Sequence, residues 1–135
     1  MFTMERHVGR FCELRFGPMF QVSEMPRLRS VLAEIFGSQS GKFVFCTDLR
    51  AIGRFGPEEE KHLITLMQTD NPRVERSAML VNANGRFGMQ VLKMIQAADN
   101  RARRVFREAL DLQTWLTPHL NSDEASRLRA FLLDV

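Results

Sequence analysis

Short runs of consecutive apolar residues alternate along this chain with longer segments in which apolar residues recur every three or four positions. The clearest run is Phe43-Val44-Phe45-Cys46, and a second is Ala78-Met79-Leu80-Val81. Continuous apolar character of this kind is typical of a strand buried on both faces. Each run is followed by a Gly-Arg-Phe-Gly turn, at 53–56 and 85–88, and then by a helical pattern. Two successive strand–loop–helix units predict a parallel sheet with helices packed on it.

The segment before the first predicted helix indicates a β-hairpin. Apolar and polar residues alternate loosely over 4–14, and a second short apolar run covers 19–22. The intervening Arg-Phe-Gly-Pro sequence at 15–18 is typical of a turn, because glycine permits positive φ and proline fixes its own φ. We therefore expect strands at 4–14 and 19–22, joined by a four-residue connection.

Three helices are predicted in the middle of the chain from their apolar stripes and end signals. The first follows Ser23 and ends at Gly37, and the second covers about 57–70. The third covers about 85–98 and is expected to end with Asn100 in a left-handed conformation. The residues expected to point inward from the third helix are Phe87, Val91, Leu92, Met94 and Ile95.

The last third of the chain adds a short strand and two helices. The strand covers 103–106, and an apolar stripe marks a helix over 110–116. Asn121 and Glu124 form a predicted capping box for a final helix over about 121–133. The predicted element order is therefore β-β-α-β-α-β-α-β-α-α, which is an α/β architecture.

Three short motifs carry a family resemblance. The first is Phe43–Ile52, an apolar strand ending in Asp-Leu-x-x-Ile. The second is Asp70–Arg73, which precedes Ser77–Val81, and the third is Arg104–Phe106, which precedes Trp115-Leu116. With a hairpin followed by three βα units, they resemble the STAS fold of the anti-sigma-factor antagonists. The closest likeness is to small bacterial SpoIIAA-like (STAS/SEC14-like) proteins. The resemblance covers about 5–118, and we expect one domain over 1–135 with the final helix as an addition.

One signature of that family is missing. Signalling members carry Asp-Ser-(Ser/Thr)-Gly at the start of the next helix, and a partner kinase phosphorylates the serine. Counted from Asp48, the corresponding positions are Phe55, Gly56, Pro57 and Glu58, so no hydroxyl stands there. The phosphorylation switch therefore does not carry over. The acidic run 58–60 either mimics a permanently charged state or complements the helix dipole.

The carboxyl ends of the parallel strands supply the first candidate site, because ligands of open α/β sheets bind at that edge. The side chains expected there are those of Asp48, Arg50, Arg54, Asn82, Asn84 and Arg86. Glycine allows backbone N–H groups to approach an anion and arginine adds charge, so this edge is a candidate for an acidic partner. In the alternative interpretation, the glycines only make turns, the phenylalanines fill the core and the arginines are solvated. Asp48 is similarly either a general base or a cap within its loop.

A basic patch supplies the second candidate site, and its members are Arg101, Arg103, Arg104 and Arg107. Strand alternation places Arg103 and Arg104 on opposite faces, so the patch is split between faces. It either contacts phosphate or an acidic protein surface, or is a solvated edge. We do not expect a nucleic-acid partner, because the aromatic residues occupy core positions and form no stacking platform.

Composition and residue spacing limit the remaining chemistry. The 135 residues are 44% hydrophobic, which supports a core without disulfide or metal, and the net charge is only +3. Cys12 and Cys46 lie in apolar runs and are expected to be buried, reduced thiols. No His/Cys spacing indicates a metal site, and no cofactor motif or catalytic triad is recognisable.

Targeting signals are also not apparent in the sequence. The chain contains no stretch of about 18 consecutive apolar residues, so we expect no membrane span. The first ten residues include Glu5, Arg6 and Arg10 and do not resemble a signal peptide. We therefore expect a cytoplasmic protein.

These observations favour a non-enzymatic, regulatory protein–protein interaction module of the STAS-like signalling type. Its partner is expected to be another protein, with a second copy of the chain as a further candidate. The alternative is a carrier or sensor of a small apolar, lipid-like ligand, which the resemblance to STAS/SEC14-like proteins also implies. The side chains that favour it are those of Met67, Met79, Met89 and Met94, whose flexible thioethers suit either a deformable apolar pocket or interface, or ordinary core filling.

Overall fold

The computed structural model describes residues 1–134, and its strands form one five-stranded sheet in the order β1-β2-β3-β4-β5. β1 is antiparallel to β2, and the other neighbouring pairs are parallel. The predicted α/β class with a mainly parallel sheet is therefore confirmed. The strands are β1 Phe2–Val8, β2 Phe11–Phe16, β3 Phe43–Asp48, β4 Val74–Leu80 and β5 Arg103–Phe106.

Helices cover both faces of the sheet, and they are α1 Met25–Ser38, α2 Pro57–Asp70, α3 Phe87–Ala98, α4 Ala109–Leu116 and α5 Ser122–Leu133. α1, α2 and α3 pack on one face, and α4 and α5 pack on the other. The strand order follows the chain in one direction, so right-handed crossovers place the first three helices together. The predicted element order is confirmed.

The central strand β3 joins the two hydrophobic layers. Phe43 and Phe45 contact the core under α1–α3, whereas Val44 and Cys46 contact the core under α4 and α5. Every residue of β3 is buried. Because both faces are covered, the strand is continuously apolar rather than alternating, and this is why it was recognisable in the sequence.

The predicted hairpin exists, but its boundaries were wrong. Both strands lie within 2–16, and the chain reverses at Gly9 and Arg10, where Val8 pairs with Phe11. Gly9 adopts φ +58°, a left-handed conformation that glycine accepts without strain. The predicted second strand at 19–22 is not a strand, since Phe20 instead stacks on Phe16 with ring centroids 4.8 Å apart.

Two details of the third and fourth helices also differ from expectation. The left-handed residue after α3 is Asp99, with φ 56°, and not Asn100. Leu92 was expected to point inward but is 40% exposed, and Leu110 of α4 is 75% exposed. Both leucines lie off the buried stripe of their helix and therefore remain exposed although they are apolar.

The final helix α5 packs on its own sheet through Leu128, Phe131 and Leu132. Its predicted capping box is confirmed, because Asn121 and Glu124 exchange side-chain to backbone hydrogen bonds. Glu124 also accepts a 2.7 Å hydrogen bond from the backbone N–H of Arg10 at the β1–β2 turn. Among residues 1–134, no helix is long and apolar enough to cross a membrane.

Candidate functional site

At the carboxyl end of β3, the predicted edge residue Asp48 is buried, with only 4% of its surface exposed. Its carboxylate accepts hydrogen bonds from Arg15 Nε at 2.9 Å and from Arg50 Nε and Nη2 at 3.0 Å each. The backbone N–H of Arg50 donates to it as well. Burial raises the pKa of Asp48, but these hydrogen bonds outweigh burial and hold the pKa below its ordinary value.

The two arginines around Asp48 continue to the end of α5. Arg15 Nη2 donates to the carbonyl oxygen of Phe131 at 2.6 Å, and Arg50 Nη2 donates to that of Leu132 at 3.1 Å. The carbonyls of the last helical turn have no partner within their own helix, so these guanidinium groups satisfy them. Arg15 and Arg50, which Asp48 holds in place, therefore attach α5 to the sheet. Both carboxylate oxygens of Asp48 are occupied by hydrogen bonds from these arginines.

The two Gly-Arg-Phe-Gly motifs meet inside the protein through their phenylalanines. Phe55 and Phe87 are buried with ring centroids 5.2 Å apart in an edge-to-face arrangement. The backbone of Phe55 is held by Gln90, which accepts from its N–H at 3.0 Å and donates to its carbonyl at 2.9 Å. This pairing of the loop with α3 accounts for the repeated motif by core packing.

The remaining predicted edge residues lie on the surface of the same end of the sheet. Arg54, Asn82, Asn84 and Arg86 are all exposed. Asn82 Oδ1 accepts the backbone N–H of Asn84 at 2.9 Å, which is the Asx turn that asparagine favours. The carboxyl-end edge thus presents two arginines to solvent, without Asp48 or Arg50.

The predicted basic patch is divided by burial. Arg103 is 8% exposed, and its guanidinium donates to Asn71 Oδ1 and to the carbonyl of Met67 at 3.0 Å each. Burial lowers the pKa of Arg103 to about 10. Arg101, Arg104 and Arg107 are exposed. Arg103 is therefore a structural link between β5 and the end of α2, and only the other three arginines are accessible.

An internal cavity of about 80 Å³ lies between the sheet and α1–α3. Its walls are mainly apolar, and Met67, Met79 and Met94 contribute to them, as the methionine pattern suggested. For comparison, an engineered apolar cavity that binds benzene has a volume of about 150 Å³. A lipid-like ligand therefore does not fit this cavity as it stands.

A second concavity, of about 730 Å³, runs along the outer edge of β5, and we call it the β5 groove. Among residues 1–134, β5 is the last strand of the sheet, and its outer edge has no neighbouring strand. The groove is open to solvent and lies between α3 and α4. The residues that line it are Gly88, Met89, Leu92, Arg104, Val105, Phe106, Arg107, Asp111, Thr114, Trp115 and Pro118.

Apolar side chains line both walls of the β5 groove, and those of the α3 wall are exposed. Met89 and Leu92 of α3 are 57% and 40% exposed. On the α4 wall, Trp115 packs against Phe106 with ring centroids 5.5 Å apart. Arg76 holds the indole from its other side, with the guanidinium carbon 5.2 Å from the ring centroid. The groove therefore has a rigid aromatic wall and a flexible thioether wall.

The electrostatic character of the β5 groove is positive. Arg104 and Arg107 line it, with Arg104 lying over the Phe106 ring at 5.3 Å on the α4 side. Arg107 lies on the α3 side, next to Gly88. Asp111 is the acidic residue among those lining the groove. Apolar walls with charged rims are the composition of protein-binding surfaces.

Nucleophilic and metal-binding chemistry finds little support in this geometry. Burial raises the pKa of Cys12 to about 12 and raises the pKa of Cys46 as well, which keeps both thiols protonated. Within residues 1–134, no three His, Cys, Asp or Glu side chains converge as a metal ion would need.

No protein-family model matches the sequence, and no curated protein matches it either.

The β5 groove was missed in the sequence because its walls come from elements far apart in the chain. Its arginines were recognised in the sequence. Met89 was grouped with the methionines of a pocket, an interface or the core, and Leu92 was assigned to the core. One signal was available. The outward position of Leu92 on α3 follows from the buried stripe Phe87, Val91, Met94, Ile95 and Ala98, from which it deviates.

Proposed function

We propose that this chain is a non-enzymatic protein-interaction module of the STAS-like type and that it binds its partner in the β5 groove. The observation that carries the proposal is the exposure of Met89 and Leu92 beside an unpaired strand edge in a concavity of about 730 Å³. Exposed apolar side chains rimmed by charge mark interaction sites on soluble domains.

The hydrogen bonds that Asp48 accepts from Arg15 and Arg50 support a binding role of the protein over a catalytic one. A general base needs a lone pair directed at its substrate, and the carboxylate of Asp48 is surrounded by Arg15 and Arg50. The arginines in turn hold the end of α5, so substrate access would require the helix to leave. The STAS-like element order adds support, because that family acts through protein partners.

The test compares partner capture by two leucine variants. Leu92→Arg places a charge in the β5 groove, whereas Leu133→Arg makes the same change on α5, where the leucine is 81% exposed. Wild-type protein and both variants are immobilised and exposed to lysate of the native cells. We expect a defined set of proteins to be retained by wild type and Leu133→Arg and lost with Leu92→Arg. Identical sets from all three proteins would refute the assignment of the groove.

A carrier of a small apolar molecule is the second candidate, and the internal cavity favours it. The walls of the cavity of about 80 Å³ are mainly apolar, and the polar residues among them are Thr47, Asp70, Ser77 and Arg103. Its size restricts the ligand to a few heavy atoms unless the helices move. Native mass spectrometry of the freshly purified protein tests this function. A retained small mass supports it, and a bare protein mass argues against it.

A further inference from the structure

The outer edge of β5 offers backbone hydrogen-bonding groups at identifiable positions. The carbonyls of Ala102 and Phe106 accept the N–H groups of Ser77 in β4 and of Val81 directly after it. Backbone groups of successive strand residues point to opposite sides, so the residues between them face away from β4. The carbonyl of Arg103 and both backbone groups of Val105 therefore point into the β5 groove.

The walls of the β5 groove suit a single added strand. In such a strand, alternate side chains point to opposite faces of the sheet. Those on one face would meet Met89 and Leu92 of α3, and those on the other would meet Trp115 of α4. Strand addition gives affinity through main-chain bonds and specificity through pockets for alternate side chains. The groove has both features.

The charges on this edge select the kind of strand. Arg101 precedes β5, Arg104 lies within it and Arg107 follows it, and all three are exposed. Two copies of the chain paired through β5 would place these arginines close to their counterparts, which is destabilising. A segment with an Asp or Glu on each of its two faces would instead meet Arg104 on the α4 side and Arg107 on the α3 side with opposite charge. Charge complementarity thus favours an acidic partner over a second copy.

The opposite edge of the sheet lacks these features. β1 exposes Thr3, Glu5, Arg6 and His7, and only Met4 and Val8 among its last five residues are partly buried. A polar edge of this kind is the usual protection of a sheet against strand pairing. The two edges therefore differ in apolar surface as well as in charge.

We infer that the β5 groove binds an extended acidic segment of a partner protein, which adds as a sixth strand beside Val105 through its backbone. This inference rests on the proposed function and specifies the chemistry of the partner. The segment carries an acidic residue on each face, toward Arg104 and toward Arg107, and apolar residues at some of the other positions. About five residues would span the edge, which is the usual length of a strand.

The first test selects peptides from a displayed random library against wild-type protein and against the double variant Arg104→Glu/Arg107→Glu. We expect the wild type to enrich peptides that carry acidic residues on both strand faces together with apolar residues, and the variant to enrich basic peptides. An acidic peptide selected on wild type should bind the double variant at least about tenfold more weakly, and its affinity should fall with salt. Peptides without acidic enrichment, or no selected peptide at all, would overturn the inference.

The second test examines the backbone of the complex. The selected acidic peptide is resynthesised with N-methyl groups on alternate residues, in the two possible registers. In one register we expect a loss of about tenfold per hydrogen bond removed, and little loss in the other. In wild-type protein, amide hydrogen exchange at Val105 should slow when the unmodified peptide binds. Equal binding of both methylated peptides with unchanged exchange at Val105 would refute strand addition.

These results separate the inference from the proposed function. If Leu92→Arg abolishes partner capture while N-methylation and Val105 exchange show no effect, the groove binds a partner by another mode. If Leu92→Arg has no effect on capture, the proposed function itself fails. A dimer in size-exclusion chromatography that Arg104→Glu/Arg107→Glu leaves intact and Leu92→Arg dissociates would assign the groove to a second copy instead.

Discussion

Replacing Asp48 by asparagine is expected to loosen the attachment of α5 and to destabilise the protein by about 2–3 kcal/mol at neutral pH. Asparagine has nearly the same shape but no charge, and its amide group would direct N–H donors at the donors of Arg15 and Arg50. Removing one member of a buried ion pair typically costs about 3–5 kcal/mol. We use a lower value because the arginine side chains are 26% and 24% exposed and recover some hydration.

The pH dependence of this cost follows from the lowered pKa of Asp48. A carboxyl group with a lower pKa in the folded state adds stability above its unfolded pKa, which is about 3.9. That stability is lost as the pH falls through the folded-state pKa. The difference between wild type and Asp48→Asn should therefore stay constant from neutral pH down to about pH 5. It should shrink only below about pH 4, where the wild-type carboxylate becomes protonated.

Urea denaturation followed by circular dichroism measures this difference, and Asp134→Asn is the matched control. Asp134 also contacts Arg15, at 3.0 Å, but its side chain is 77% exposed, so its loss should cost under about 0.5 kcal/mol. Amide exchange in α5 should accelerate in Asp48→Asn and not in the control. A cost for Asp48→Asn equal to that of Asp134→Asn, or one independent of pH below about 4, would refute the reasoning.

Three further predictions concern glycine, acid and thiol positions. Gly9→Ala should destabilise the protein by about 2 kcal/mol, because φ is +58° and a Cβ would collide with the carboxylate of Glu124, which caps α5. Gly37→Ala in α1 is the control and should be neutral or stabilising. Thermal unfolding of the two variants and the wild type measures the difference. Burial raises the pKa of Asp70 to about 6, so wild type should lose stability as the pH rises from about 4 to about 6 while Asp70→Asn does not. The variant should then be about 1 kcal/mol more stable than wild type at neutral pH. Urea denaturation measures both proteins, and a difference in unfolding free energy that is the same at about pH 4 and at neutral pH would contradict this. Cys12 and Cys46 should react with a thiol reagent only after unfolding, and rapid labelling of native protein would disprove their burial.

The strands and helices of the parallel part were predictable because local pattern and tertiary structure agree there. Phe43–Cys46 is apolar throughout since both faces of the strand are covered, and Pro57 with its acidic first turn begins α2 where expected. The hairpin was misplaced because the turn at Gly9 and Arg10 carries a weak sequence signal, whereas Gly17-Pro18 carries a strong one. Gly17 instead donates its N–H to the carbonyl of Met1, just beyond the end of the strand.

The candidate site was harder to predict, since long-range hydrogen bonds decide which polar side chains remain available. Asp48 and Arg50 do lie at the predicted edge, but Arg15 and Arg50 occupy the carboxylate of Asp48, and Arg50 itself is bound to α5, more than eighty residues later in the chain. Arg103 was expected to be accessible and is buried because Asn71 and the end of α2 supply acceptors for its guanidinium. Sequence periodicity contains no information about such partners.

The β5 groove follows from the topology of the chain. Because each new parallel strand is added on the same side of the previous one, α1, α2 and α3 share one face, and α4 and α5 must cover the other. α3 and α4 precede and follow β5 directly, so they flank the last strand on opposite faces and leave its outer edge between two helical walls. An unpaired strand edge with apolar walls is prone to non-specific pairing with strands of other chains. Arg104 and Arg107 oppose pairing between two copies, and by the same charge they admit an acidic strand.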